Sequence, residues 1–115
     1  MPDYRLVAET SELERLIEAS RQAPLWIFKH SLTCPVSSRA FGEYRRFLAE
    51  RPEGDGAVYA VVEIQNARDV SAAIAERTGV RHESPQALLL RGGEVAWHAS
   101  HWSIRAEALA AAAGG

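Results

Sequence analysis

Runs of apolar residues alternate with segments of helical periodicity along the chain, and this pattern predicts strands and helices in turn. The run from Leu25 to Phe28 follows Pro24 and is continuously apolar, which is typical of a central strand covered on both faces. A similar run from Val58 to Ile64 predicts a second central strand. Between them, four large apolar residues recur at helical spacing, at Phe41, Tyr44, Phe47 and Leu48. The first half of the chain therefore predicts two buried strands joined by a helix.

Capping residues predict the elements at the start of the chain. A short strand from Arg5 to Ala8 precedes Ser11, whose hydroxyl can cap a helix while Glu14 reaches back to complete a capping box. The apolar face of that helix would be formed by Leu13, Leu16 and Ile17.

Glycines mark the ends of elements in the second half of the chain. The segment from Val70 to Glu76 predicts a helix that Gly79 terminates. Two further strands, Gln86 to Arg91 and Glu94 to His98, are joined by the dipeptide Gly92-Gly93. This dipeptide is a hairpin signal because glycine adopts positive φ without steric cost.

The elements occur in the order βαβαβαββα, which resembles the element order of the thioredoxin-like fold. A last helix is expected to begin near Ser103 and to fray from Ala110 to Gly115. The first half of this order requires parallel crossovers and the second half ends in a hairpin. We therefore expect an α/β fold with a mixed central sheet covered by helices, in a single domain of residues 1–115.

Composition and charge narrow the classes of function. The chain has 115 residues, of which 47% are hydrophobic and 24% charged, and its formal net charge is −2. Basic residues are scattered among acidic ones, so no basic stripe is available to track a nucleic acid. No apolar stretch is long enough to cross a bilayer, and the N-terminus has none of the features of a secretory signal. We expect a soluble monomer that binds neither nucleic acid nor membrane.

Cys34 is the only cysteine in the chain, so an internal disulfide is impossible, which suits a reducing compartment and predicts a cytoplasmic location. Pro35 stands where the first residue of a helix would be, directly after Thr33 and Cys34. The free N–H groups and the dipole at a helix N-terminus favour thiolate, the nucleophilic form of cysteine. Lys29 and His30 could add positive potential from the preceding strand, although strand alternation aims them at opposite faces.

Ser37 stands three residues after Cys34, so a helix places the two side chains on one face. In a Cys-x-x-Cys redox pair, that position holds the second thiol. Serine cannot form a disulfide, so Cys34 would have to pass a mixed disulfide to an outside thiol. The Ser37 hydroxyl can donate a hydrogen bond to the sulfur. The sequence therefore predicts monothiol exchange.

The step from Ser84 to Pro85 enters the predicted strand that begins at Gln86. An X–Pro bond adopts the cis form at a cost of only about 0.5–1 kcal/mol. In thioredoxin-like folds, a cis-proline at this place lies beside the cysteine, and the neighbouring backbone pairs with the substrate. We therefore expect a cis peptide bond here.

Four motifs together resemble the YtxJ-like monothiol bacilliredoxins over nearly the whole chain from Trp26 onward. They are Phe28-Lys29-His30-Ser31, Thr33-Cys34-Pro35-Val36-Ser37-Ser38, Gly79-Val80-Arg81-His82-Glu83-Ser84-Pro85-Gln86 and Trp97-His98-Ala99-Ser100-His101-Trp102. Val36 stands where isoleucine is common in the family, a change that leaves the chemistry untouched.

This resemblance implies that bacillithiol, a thiol built from glucosamine, cysteine and malate, is a co-substrate, with no bound cofactor. Cys34 would attack the mixed disulfide between bacillithiol and a client protein. The ligand carries malate carboxylates, which favour cationic surroundings. Lys29, Arg39 and His82 are the candidates for those surroundings, and Ser84 and Pro85 are candidates for substrate contact.

Two other classes of function remain open. A glutaredoxin-like iron–sulfur carrier would hold a cluster between two subunits, although Pro35 removes an N–H and stiffens the loop beside the sulfur. A binding module without turnover would hold Cys34 as an ordinary thiol. A resident metal is not expected, because His30 and Cys34 have a metal-like spacing but no further ligands accompany them. The tryptophans are expected to pack in the core or at an interface, at Trp26, Trp97 and Trp102.

Overall fold

A five-stranded sheet with helices on both faces organises the computed structural model, which describes residues 2–114. The strands are β1 Arg5–Leu6, β2 Leu25–His30, β3 Val58–Glu63, β4 Gln86–Arg91 and β5 Glu94–Ser100. The helices are α1 Thr10–Ala19, α2 Pro35–Ala49, α3 Arg68–Thr78 and α4 Ala106–Gly114. Short 3₁₀ turns follow β3 at Ile64–Asn66 and β5 at His101–Ser103. No helix within residues 2–114 has both the length and the apolar character that crossing a bilayer requires.

The strand order is β1-β3-β2-β4-β5. Parallel pairing joins β3 to both β1 and β2, whereas β4 runs antiparallel to β2 and β5 antiparallel to β4. The sheet is therefore mixed, as predicted. All six residues of β2 are buried, which confirms the prediction of a central strand covered on both faces.

Alternation along β2 divides the core into two halves. Leu25 and Ile27 pack with the buried side chains of α1 and α3, whereas Trp26 and Phe28 pack with those of α2 and α4. By the same alternation, Lys29 faces the α1 and α3 side of the sheet and His30 the α2 side. Lys29 and His30, the last two residues of β2, therefore lie in different environments on opposite faces of the sheet.

Three predicted element ends are confirmed. α2 begins at Pro35 with Cys34 as its N-cap. Gly79 ends α3 with φ of 73°, in the left-handed region that favours glycine. Gly92 and Gly93 form the hairpin turn with φ of 62° and 83°.

Two predicted helix starts are wrong. α1 begins at Thr10, with Glu9 as its N-cap, because the N–H of Leu13 donates to the carbonyl of Glu9. No side chain caps this end of the helix. Ser11 therefore lies inside the helix and forms no capping box. α4 begins at Ala106, where the carboxylate of Glu43 from α2 accepts the Ala106 N–H at 2.9 Å. This cap is tertiary, so local sequence near Ser103 could not reveal it.

The ends of the chain also differ from the predictions. β1 is two residues long, β5 extends to Ser100, and residues 110–114 are helical rather than frayed. Gly115, the last residue of the segment expected to fray, lies outside the described residues.

Candidate active site

Cys34 occupies the N-cap of α2 and is half-buried. Its backbone is extended, with φ of −107° and ψ of 121°, and its carbonyl accepts the N–H of Ser38 at 3.0 Å. Pro35 has no N–H, so Val36 and Ser37 carry the amides of the first turn that lack a partner within the helix. The N-cap side chain is the group that normally receives such amides. Among residues 2–114, no hydrogen bond joins these amides to the Cys34 sulfur.

Gln65, in the 3₁₀ turn after β3, holds the loop before Cys34. Its Oε1 accepts the N–H of Leu32 at 3.0 Å, and its Nε2 donates to Ser31 Oγ at 3.0 Å and to Thr33 Oγ1 at 3.4 Å. Sequence reasoning missed this residue. A signal existed, because a polar side chain directly after a strand parallel to β2 lies at the same sheet edge as the loop that follows β2.

Ser37 is fully buried, and its hydroxyl is engaged away from the sulfur. Its Oγ accepts the N–H of Ser31 at 2.8 Å and lies 2.7 Å from His30 Nδ1. No hydrogen bond joins Ser37 to Cys34 among residues 2–114, so the predicted contact between them is replaced by a brace across the loop. The spacing in the sequence predicts the helix face of Ser37 correctly. It does not reveal that Ser31 and His30 compete with Cys34 for the Ser37 hydroxyl.

Burial makes His30 an uncharged partner in this brace. Desolvation lowers the pKa of His30, against the raising effect of the Glu63 carboxylate. The ring stacks on Phe41 with centroids 4.7 Å apart. His30 is therefore a neutral, packed residue at pH 7 and adds little positive potential near Cys34.

Lys29 is fully buried on the opposite face of β2, beside His82. Its Nζ lies 2.7 Å from His82 Nδ1, and Ser71 Oγ lies 3.4 Å from the same nitrogen. Burial lowers the pKa of Lys29 to about 8. Burial, and then the Lys29 charge, lower the pKa of His82, while Glu83 raises it. Two residues predicted separately as cationic are therefore one hydrogen-bonded pair.

The Ser84–Pro85 peptide bond is cis, as predicted. Lys29 pairs with Gln86 across β2 and β4, so Pro85 lies at the sheet edge from which the Cys34 loop departs. The carbonyl of Pro85 accepts the N–H of His101 at 3.0 Å. Pro85 is buried, and the hydroxyl of Ser84 is buried without a hydrogen-bond partner within residues 2–114.

Arg39 and Trp102 form a separate pair at the side of α2. The Arg39 guanidinium lies over the Trp102 ring, 4.8 Å from its centroid, and its Nη1 is buried with no hydrogen-bond partner in the described chain. Trp26 is buried in the core, which agrees with the expectation of core or interface packing, whereas Trp102 is 58% exposed and lies outside the core. The backbone bond between His101 and Pro85 connects this pair to the proline segment.

A sequence model of the family described as "Monothiol bacilliredoxin BrxC" matches residues 5–109. The chain belongs to the monothiol bacilliredoxin family. This bacilliredoxin is also similar to a solved structure of a protein with a thioredoxin fold that is proposed to be an oxidoreductase. The two share 34% identity with a TM-score of 0.84 over 96% of this chain and 93% of the other. The protein is therefore a thiol oxidoreductase of the bacilliredoxin family.

Solved thioredoxins confirm the fold of this bacilliredoxin. Thioredoxin from Malassezia sympodialis is 13% identical with a TM-score of 0.74, covering 99% of this chain and 91% of its own. Thioredoxin from Trypanosoma brucei brucei is 13% identical with a TM-score of 0.77, covering 98% and 89%. The predicted thioredoxin-like fold is therefore correct.

The bacilliredoxin separates its candidate cationic residues into two groups. Lys29 and His82 lie together on the α3 side of the sheet, whereas Arg39 lies on the α2 side with Trp102. No group of three or more histidine, cysteine, aspartate or glutamate side chains within residues 2–114 is arranged to hold a metal ion. The two cationic groups therefore lie on opposite faces of the sheet.

Proposed function

We propose that Cys34 removes bacillithiol from mixed disulfides on client proteins. The position of Cys34 carries this proposal, because a half-buried thiol at a helix N-cap, between two exposed residues, is accessible to an incoming disulfide. The Cys34 thiolate attacks the bacillithiol sulfur of the mixed disulfide. A bond forms between the two sulfurs, the bond to the client sulfur breaks, and the client leaves as a thiolate that takes a proton from water.

A second bacillithiol then regenerates the protein. Its thiolate attacks the bacillithiol sulfur bound to Cys34, which releases Cys34 as a thiolate and forms bacillithiol disulfide. The client disulfide is reduced and two bacillithiol molecules end as one disulfide, so electrons balance. Cys34 is the only cysteine, and Ser37 occupies the position of a resolving thiol, so the second thiol has to come from outside.

Two groups support substrate contact beside the sulfur. The cis bond before Pro85 and the unpartnered Ser84 hydroxyl lie at the sheet edge where the Cys34 loop begins. Thr33 and Pro35 are exposed on either side of Cys34, so a client can approach the thiol. We propose that the backbone at Ser84 pairs with the segment of the client that carries the disulfide.

We further propose a cytoplasmic site of action. The regeneration step consumes a reduced low-molecular-weight thiol, and the reducing cytoplasm maintains such thiols.

Intact mass spectrometry tests the chemistry directly. The reduced protein is mixed with bacillithiol disulfide, and in parallel with glutathione disulfide, and the adduct is followed with time. We expect one bacillithiol to add to Cys34, faster than glutathione does, and no adduct on the Cys34→Ser variant. The Ser38→Ala variant is the matched control, because it changes an exposed hydroxyl of the same helix turn and leaves the thiol intact.

A client carrying bacillithiol provides the second readout. The parent and Ser38→Ala proteins should restore its free thiol, and Cys34→Ser should not. If Cys34→Ser restored the free thiol of the client as well as the parent does, the proposal would be wrong. Absence of an adduct with either disulfide would favour a binding module without turnover instead.

A further inference from the structure

A pocket lies on the α3 side of the sheet, next to the 3₁₀ turn that follows β3. Its volume is about 400 Å³, within the range of small-molecule sites. It is lined by Ile64, Arg68, Ser71, Ala72, Ala75 and His82. Ile64 directly precedes Gln65, whose side chain contacts Ser31 and Thr33 in the loop. The wall of the pocket and the Cys34 loop are therefore fixed to each other through Gln65.

A buried positive charge lies behind this pocket. Lys29 is fully buried, and no carboxylate within residues 2–114 lies at ion-pairing distance from its Nζ. A buried charge without a counter-ion is costly, and an anion placed nearby lowers that cost. The pocket therefore favours an anionic ligand over a neutral one.

His82 can act as a hydrogen-bond donor from the pocket wall. The Lys29 ammonium donates to His82 Nδ1, which requires a neutral ring with its proton on Nε2. That Nε2–H has no partner in the described part of the chain. The Glu83 carboxylate raises the pKa of His82, and its Oε1 accepts the hydroxyl of Ser100 at 3.1 Å.

Arg68 adds a second donor at the rim. Its side chain is exposed, and no hydrogen bond or ion pair engages its guanidinium within residues 2–114. A guanidinium binds a carboxylate through two parallel hydrogen bonds. Arg68 and His82 together therefore offer donors suited to a ligand with carboxylates, and Ile64 and Ala72 offer apolar surface beside them.

We propose that this pocket binds the malate part of bacillithiol, with Arg68 and His82 contacting its carboxylates and Lys29 supplying the buried charge behind them. This inference rests on the proposed function, since it concerns the ligand whose sulfur reacts with Cys34. Bacillithiol carries its thiol at one end and two carboxylates at the other. The pocket wall is joined through Gln65 to the loop that presents the thiol, so we propose that the ligand extends from Cys34 at the sheet edge to the α3 face.

Two disulfides separate malate recognition from thiol chemistry. One is bacillithiol disulfide, and the other is the disulfide of cysteinyl-glucosamine, which lacks the malate. The parent protein should form the adduct faster with bacillithiol disulfide. The Arg68→Gln variant should lose about tenfold of the rate with bacillithiol disulfide and none with the malate-free disulfide. Free malate should compete with bacillithiol disulfide for the parent and much less for Arg68→Gln.

Three matched variants complete the test. Arg15→Gln removes one exposed positive charge from α1 and should react as the parent does. His82→Gln keeps an acceptor for Lys29 but alters the pocket wall, and should also lose rate only with bacillithiol disulfide. Arg39→Gln tests the other cationic group and should leave the preference for bacillithiol disulfide intact.

The results distinguish this inference from the proposed function. A selective loss in Arg39→Gln, with Arg68→Gln unchanged, would overturn the assignment of the pocket. Equal rates of the parent protein with bacillithiol disulfide and the malate-free disulfide would also overturn the assignment of the pocket. The proposed role of Cys34 would not be affected by that result. A parent that forms no adduct with either disulfide would overturn both.

Discussion

At the residue scale, Ser37 occupies the position of a second thiol but contacts the loop before Cys34 instead of the sulfur. Its hydroxyl is bonded to the Ser31 N–H and lies against His30 Nδ1, so it braces the loop that carries Cys34. A buried hydroxyl with two partners contributes to the free energy of unfolding, because removing it leaves those partners unsatisfied. We propose that Ser37 acts on catalysis indirectly, by holding the loop that positions Cys34.

The Ser37→Ala substitution should therefore lower the free energy of unfolding by about 1–3 kcal/mol. The N–H of Ser31 and the buried ring of His30 would both lose their partner. Urea titration followed by circular dichroism measures the change. Ser38→Ala, at an exposed position one residue later, should change it by less than about 0.5 kcal/mol. Equal effects of the two substitutions would contradict the bracing role.

At the element scale, the ends of the helices determine where the site residues lie. Cys34 caps α2 because Pro35 starts the helix, and the carboxylate of Glu43 fixes the start of α4. Gly79 reverses the chain after α3 and sends it back towards His82. The conformation of Gly79 is therefore a local requirement for placing His82 beside Lys29.

Two glycine-to-alanine substitutions should change the free energy of unfolding in opposite directions. Gly79→Ala should lower the free energy of unfolding by about 1–2 kcal/mol, because alanine disfavours φ of 73°. Gly42→Ala should raise it by about 0.5–1 kcal/mol, because Gly42 is an exposed residue within α2. A Cβ at either position meets no atom within 4 Å, so steric contact does not confuse the comparison. Thermal unfolding of both variants decides whether the signs differ.

At the scale of the whole molecule, the burial of Lys29 is an energetic cost that the rest of the fold offsets. Lys29 is the only lysine in the chain, and it lies fully buried without a carboxylate partner in the described residues. The two packed halves of the core supply the compensating apolar burial on either side of β2. Such a cost is characteristic of functional sites rather than of residues selected for stability.

This cost predicts how stability depends on pH. Burial lowers the pKa of Lys29 from 10.5 to about 8, so between these values the folded protein has released a proton that the unfolded chain still holds. The unfolded state then binds more protons, and the Lys29 contribution to the free energy of unfolding rises with pH across this window. Below about pH 8, the full cost of the buried charge remains.

Lys29→Met is the variant that reveals this contribution, because methionine keeps the buried stem and removes the charge. The difference in free energy of unfolding between the parent and Lys29→Met should shift in favour of the parent as pH rises from about 8 to 10. Tyr59, whose pKa burial raises to about 12, is present in both proteins, so its opposite effect cancels. Parallel pH profiles for the two proteins would contradict an ionised, buried Lys29.

Elements whose causes are local could be predicted from the amino-acid sequence. The apolar run of β2, the proline at the start of α2 and the glycines after α3 and in the hairpin each act within a few residues, so their structural consequences were predictable. The position of Cys34 followed from the same local signals. The cis bond before Pro85 was predicted from the resemblance to thioredoxin-like folds, which have a cis-proline at this place. The residues around Pro85 do not by themselves require it.

Contacts between side chains that are distant in sequence could not be predicted in this way, because they depend on how the elements pack. The pairing of Lys29 with His82 joins residues 53 positions apart, and the bond from Gln65 to Ser31 joins residues 34 apart. Periodicity assigns a residue to a face of a strand but does not say which distant loop packs there. Ser37 was placed correctly on its helix, yet its hydroxyl bonds to the nearer backbone and ring. Hydrogen bonds are short-ranged and directional, so their partners are set only when the chain has folded.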